Sequence, residues 1–155
     1  MEIERKFLVE RAPSNLKSYQ SINISQVYID LGENGLERRI RRTERDGEVK
    51  YYYTEKGQGT LSRVENEREI CQKEYDELLK NAVTDMLTKT RYLIPIASKL
   101  IAELDIYSGS LSGLMTVEVE FESISEALSF SIPEWFGKEV TEDKTYKNKN
   151  LAKRI

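Results

Sequence analysis

Segment after segment of this chain carries charged residues at every second position, and that period constrains its fold more than any other feature. In a strand, successive side chains point to opposite faces. The opening EIERKFLV therefore puts Glu2, Glu4 and Lys6 on one face, with Ile3, Phe7 and Val9 on the other and Arg5 interrupting them. LERRIRR aligns Arg39 and Arg41, and EVKYYYTEK aligns Lys50, Tyr52, Thr54 and Lys56. SRVENEREI aligns Arg63, Glu65, Glu67 and Glu69, and LTKTRYLI aligns Lys89 and Arg91. KLIAELDIY aligns Glu103 and Asp105, and TVEVEFE alternates Glu118, Glu120 and Glu122 with Val117, Val119 and Phe121. With NISQVYIDL, these runs predict about eight strands.

Turn signals separate them: Gly32 to Gly35, Asp46-Gly47, Gly57 to Gly59, and SGSLSG from Ser108 to Gly113. Helical spacing of Tyr75, Leu78, Leu79 and Ala82 predicts a helix over 73–82, and Ser123 with Glu126 forms a capping box for a short helix reaching Phe130. The polar segment from Asp143 is expected to close in a helix bearing Leu151 and Ile155. No linker or low-complexity stretch divides the chain, so residues 1–155 are expected to form a single domain.

Two arrangements satisfy one apolar and one charged face per strand. In a sandwich, the apolar faces meet and the charges face water. In a barrel, the charges point inward and helices cover the apolar outside. The charged faces sort by sign rather than mixing, and like charges on one strand face repel. Something must offset that cost, which favours the barrel. Its inward acids would be Glu2, Glu4, Glu65, Glu67, Glu103, Asp105, Glu118 and Glu120. Its inward bases would be Lys6, Arg39, Arg41, Lys50, Lys56, Arg63, Lys89 and Arg91, equal in number. Clustered carboxylates suit Mg2+ or Mn2+, and Arg and Lys suit phosphate oxygens. A linear triphosphate with divalent cations would nearly cancel inside such a lumen.

Composition removes competing chemistries. There is no histidine, which excludes a Ser-His-Asp triad and an imidazole base. Gly137-Lys138 lacks the upstream glycine of a P-loop, and GQG is a turn. A formal net charge of -3, from 24 basic and 27 acidic residues, argues against nucleic acid as a partner. No apolar run approaches a membrane span, and because strand-like sequence begins at once, no signal peptide is expected. The single Cys71 excludes an internal disulfide and suits the cytoplasm.

EIERKFLV resembles the Glu-x-Glu-x-Lys signature of the CYTH superfamily, the triphosphate tunnel metalloenzymes. RIR, TEK, RVENE, KTR, ELD and EVEFE are similar to the later strand motifs of that family, in order, and VTEDKTYKN resembles its closing segment at Asp143, Lys144, Tyr146 and Asn148. The resemblance implies an α+β, mainly β fold: a closed eight-stranded antiparallel β-barrel, or tunnel, with peripheral helices. It implies metal-dependent hydrolysis of a triphosphate compound, inorganic triphosphate being the leading expectation for a chain of this compact bacterial type, with Mg2+ or Mn2+ as cofactor. On this basis Glu2, Glu4, Asp105, Glu118 and Glu120 are the expected metal ligands, with Glu103 either a further ligand or an orienter. Glu4, Glu118, Glu120 and Lys6 are expected to carry catalysis. Lys6, Arg39, Arg41, Lys50, Lys56, Arg63, Lys89, Arg91 and Lys144 are expected to grip the phosphates.

Other readings remain open at this stage. Members of the same superfamily include adenylate cyclases and thiamine or nucleoside triphosphatases, and fold does not choose among them. A non-catalytic polyphosphate- or nucleotide-binding module is the rival of a different class, although an anion binder has little use for so many carboxylates. Glu65 and Glu67 serve either as ligands or as orienters of neighbouring bases. Many members of such families dimerise, so a homodimer is compatible with the resemblance; no interface stands out.

Overall fold

The computed structural model describes residues 1–153; Ile155, expected in the closing helix, lies outside them. Nine strands form one antiparallel sheet: β1 (Glu2–Leu8), β2 (Gln20–Leu31), β3 (Glu37–Arg45), β4 (Glu48–Lys56), β5 (Ser62–Arg63), β6 (Glu65–Ile70), β7 (Leu87–Pro95), β8 (Ile101–Tyr107) and β9 (Met115–Glu120). Their hydrogen-bonded order is β5-β1-β9-β8-β7-β2-β3-β4-β6. The two strands at the ends of that row, β5 and β6, are consecutive in the chain and flank Val64. One side of this segment pairs with β1, Glu2 opposite Arg63, and the other pairs with β4, Lys56 opposite Glu65. The row thereby curls round until its ends meet at Val64.

This accounts for the difference from the eight strands expected. SRVENEREI is read by period as one strand, but it changes partners at Val64 and divides into β5 and β6. Immediately before it, Gly59 has φ +137°, and a Cβ there would lie 2.2 Å from the Ser62 carbonyl oxygen. Only glycine fits that approach. The Asp46-Gly47 signal holds as a two-residue hairpin loop, with φ of 52° and 79° and Arg45 opposite Glu48.

Apolar faces point outward, beneath helices. On one side Phe7, Leu104, Val117 and Val119 pack with Ala127 and Phe136. Ala127 lies on α2 (Ile124–Leu128), whose Ser123 cap accepts a hydrogen bond from the Glu126 amide. On the other side Val27, Ile40 and Ile70 pack against Tyr75 of α1 (Gln72–Leu79). A third cluster belongs to the inward faces instead: Tyr28, Leu87 and Tyr107 share the strand parity of Gln26, Lys89 and Asp105 and lie, with Leu111, against Leu151 and Ala152 of α3 (Asn148–Ala152). Lys6, Arg39, Lys56, Lys89, Asp105 and Glu118 are all buried. The barrel arrangement, not the sandwich, is the one this chain adopts. No helix among the described residues is long and apolar enough to cross a membrane.

Candidate active site

A cavity of about 220 Å³ occupies the barrel interior. Of the residues expected to form a site, it brings together Glu2, Glu4, Lys6, Arg39, Arg41, Lys56, Arg63, Arg91, Glu118 and Glu120, with Glu65, Glu67 and Glu103 in the same wall. Cross-strand register explains the grouping. Glu4 stands opposite Glu120 and Lys6 opposite Glu118 on the β1–β9 pair, and Glu103 opposite Glu118 on β8–β9. Arg39 stands opposite Thr54, and Arg41 opposite Tyr52, on β3–β4. A second opening shares Arg41, Glu67, Arg91 and Glu103 with the main cavity and continues to Ile22, Arg45, Lys50 and Tyr52. The two cavities thus adjoin at these four residues.

The acidic wall is crowded. Carboxylate oxygens of Glu2, Glu4 and Glu120 lie within 4.8 Å of one another. Burial, with Glu118 and Glu2 nearby, pushes the Glu4 carboxyl well above the ordinary carboxylate range. Burial, Glu103 and Glu2 raise Glu120. Burial and a hydrogen bond with Glu2 raise Glu65 to about 7. Burial would also raise Glu118, but Lys6, a hydrogen bond from Glu4 and Arg91 outweigh it and hold Glu118 well below the usual range. Hard oxygen donors compressed until they compete for protons are what a divalent cation of the Mg2+ or Mn2+ kind relieves. The donor set fits such an ion.

The cations are mostly held in ion pairs. Lys6 Nζ lies 3.4 Å from Glu118 and donates to the Tyr146 carbonyl at 2.6 Å. Lys56 lies 3.1 Å from Glu2, Arg63 3.0 Å from Glu37, and Arg39 3.6 Å from Glu67. Arg91 reaches Asp105 at 2.8 Å and Glu103 at 3.2 Å. Arg41 differs. Its Nε donates to Gln26 at 3.2 Å, and burial together with Arg39 and Arg91 presses its guanidinium down to about 9, still charged at neutral pH.

Four expected residues stand elsewhere. Asp105 does not join the carboxylate group: it is buried between Lys89, at 2.7 Å, and Arg91, whose two contacts are 2.8 and 3.0 Å. Lys89 is spent on that pair and does not line the cavity. Burial lowers Lys89 to about 7 although Asp105 favours its charge, while Lys89 and Arg91 overcome burial to hold Asp105 at about 2. The two shifts point opposite ways for one contact. The carboxylate belongs first to the Arg91 fork, and Lys89 is the less firmly held cation. Lys50 lies at the second opening beside Glu48, 3.6 Å away, because its strand runs out of the cavity there. Lys144 is exposed; three residues on, Lys147 lines the cavity, its Nζ donating to the Gly59 carbonyl at 2.8 Å. Lys147 and Tyr28 were not singled out by the sequence. The first lies in an irregular segment with no period to read, and the second is an uncharged member of an inward face. Asp143, Tyr146 and Asn148 of the closing segment also line the cavity.

Comparison with known proteins agrees with this architecture. No model of a known protein family matches the chain. An inorganic triphosphatase of Nitrosomonas europaea is 40% identical to it over 154 residues, covering 99% of this chain and 98% of that protein. An inorganic triphosphatase of Acetivibrio thermocellus is 33% identical over 155 residues, covering 98% and 93%. A crystal structure described as that of an inorganic triphosphatase is 37% identical, with a TM-score of 0.71, covering 100% of this chain and 96% of its own. Near-complete matches of this kind, on a barrel lined by facing carboxylates and cations, place the chain in the triphosphate tunnel family, the CYTH superfamily.

Proposed function

We propose that this chain hydrolyses inorganic triphosphate to pyrophosphate and phosphate, using a divalent cation, Mg2+ or Mn2+. One observation carries the reading: a carboxylate group, Glu2, Glu4 and Glu120, and a set of buried cations face the same enclosed cavity. A site for a bare anion would not crowd three carboxylates into one wall. In this reading Glu2, Glu4 and Glu120 hold the cation, and Glu118 completes the acidic wall while holding Lys6 in place at 3.4 Å. Arg39, Arg41, Lys56, Arg63 and Arg91 grip the phosphate oxygens, joined by Lys6 and Lys147. Asp105 orients Arg91.

When bound, the divalent cation offsets phosphate charge and lowers the pKa of a coordinated water. The chain's own residues supply the rest. Guanidinium and ammonium groups preorganised by Glu37, Glu67, Glu103 and Asp105 fix the chain of phosphates without further reorganisation and stabilise charge on the departing pyrophosphate oxygen. Water attacks the terminal phosphorus, the bridging P–O bond breaks, and no covalent intermediate is needed. The barrel wall limits access of bulk water to the reacting groups.

The test is phosphate release from inorganic triphosphate, ATP and thiamine triphosphate, with cyclic AMP measured in the ATP reactions. Preference for inorganic triphosphate is expected, since carboxylates and cations make up most of the main cavity's lining. Cyclic AMP as the main product from ATP would replace this reading with that of a cyclase.

A further inference from the structure

Gln26 is fully buried, and its side chain makes one hydrogen bond. It sits on β2 opposite Arg41 of β3, and its Oε1 accepts from Arg41 Nε at 3.2 Å. Its Nε2 is buried without a partner. Exchanging the amide's oxygen and nitrogen would set two donors against each other, so Arg41 fixes the orientation. A buried unpaired amide donor is costly, and it is accepted here for the sake of one contact.

The choice of an amide is informative because a carboxylate of the same shape would make the stronger bond and leave no orphan donor. The other cavity guanidinium groups are held in that way, Arg63 by Glu37, Arg91 by Asp105 and Arg39 by Glu67. Each of those carboxylates cancels part of the charge it orients. Among the described residues, Arg41 has no carboxylate at ion-pair distance. We propose that Gln26 is a positioning residue that aims Arg41 at the phosphate chain of the substrate while leaving its charge whole; this rests on the function proposed above.

The experiment compares wild type with Q26E, Q26L, R41A and the two double variants. Three quantities are read: KM and kcat for inorganic triphosphate, affinity for a methylene-bridged triphosphate analogue by calorimetry in Mg2+, and Tm. Q26E keeps the shape and cancels the charge, so affinity is expected to fall about tenfold while Tm holds or rises. Q26L keeps the bulk and removes the acceptor, and affinity is expected to fall roughly threefold or more as Arg41 loses its aim. In the R41A background Q26L should not weaken binding further, whereas Q26E, there a carboxylate without a partner, is read for Tm only. Unchanged affinity in Q26E and Q26L, or a Q26L loss that persists undiminished with R41A, overturns the proposal while wild-type turnover leaves the triphosphatase reading standing. A wild-type protein that neither hydrolyses triphosphate nor binds the analogue overturns both.

Discussion

Lys56 and Glu2 meet across the seam of the barrel, 3.1 Å apart, each largely buried. They come from β4 and β1, the strands that border the β5–β6 segment on its two sides. One residue is a candidate phosphate contact and the other a candidate metal ligand, and without ligands each neutralises its counterpart. The pair thus holds the seam together and keeps both groups ready for exchange.

Lys56→Met should therefore damage binding more than folding. It removes a phosphate contact and leaves Glu2 only its longer contact with Arg63, at 3.8 Å. KM for triphosphate is expected to rise about ten- to a hundredfold, as truncation of one buried charge partner does. Steady-state kinetics checks this, and an unchanged KM would remove Lys56 from the phosphate-binding set.

Glu120→Gln should move stability and activity in opposite directions. Glu120 shares its space with Glu2 and Glu4, and burial, with Glu103 and Glu2 nearby, raises its carboxyl. Removing its charge relieves repulsion, so the metal-free Tm is expected to rise by about 1–3 °C. The metal concentration for half-maximal activity should rise at least about tenfold. Calorimetric melts in EDTA and a Mn2+ titration of activity separate the two effects. A lower Tm in EDTA would show that the carboxylates are not strained against one another.

Asp105→Asn should destabilise the barrel rather than disarm it. The substitution leaves Lys89 and Arg91 buried with no full negative charge between them, a loss of about 3–5 kcal/mol. Tm should drop by roughly 10 °C or more. Had Asp105 been a metal ligand, the variant would keep its Tm and lose metal affinity.

Acid stability follows from the same cluster. Asp105 titrates at about 2 in the fold against 3.8 when exposed. A depressed carboxyl contributes stability that is fully present above its unfolded pKa and is lost as pH falls through the folded value. Asp105 thus contributes about 2 kcal/mol above pH 4, fading toward pH 2. Denaturant melts across that window should show the slope in wild type and a much weaker one in Asp105→Asn.

The barrel and most of its lining were legible because period two fixes which face a residue takes, whatever its partners. By that period Glu2, Glu4 and Lys6 share one face, as do Arg39 and Arg41, and Glu118 and Glu120; the sorting of charge by sign is what turned those faces inward. Position along the strand axis did not follow from the period, so Lys50 was placed on the right face but at the wrong end. Cross-strand pairing did not either: that Asp105 is claimed by Lys89 and Arg91 depends on the β7–β8 register, which one sequence does not display. Neutral inward residues such as Gln26 and Tyr28 carry no sign to sort by. Outside the strands the period vanishes, and Lys144 stood in for Lys147.

The most direct measurement is the initial rate of phosphate release from inorganic triphosphate as Mg2+ or Mn2+ is titrated into metal-free wild-type protein. The account predicts negligible release in EDTA and a saturable rise with metal that is lost in Glu4→Gln. Release that proceeds undiminished in EDTA, or a Glu4→Gln variant as active as wild type, would contradict it.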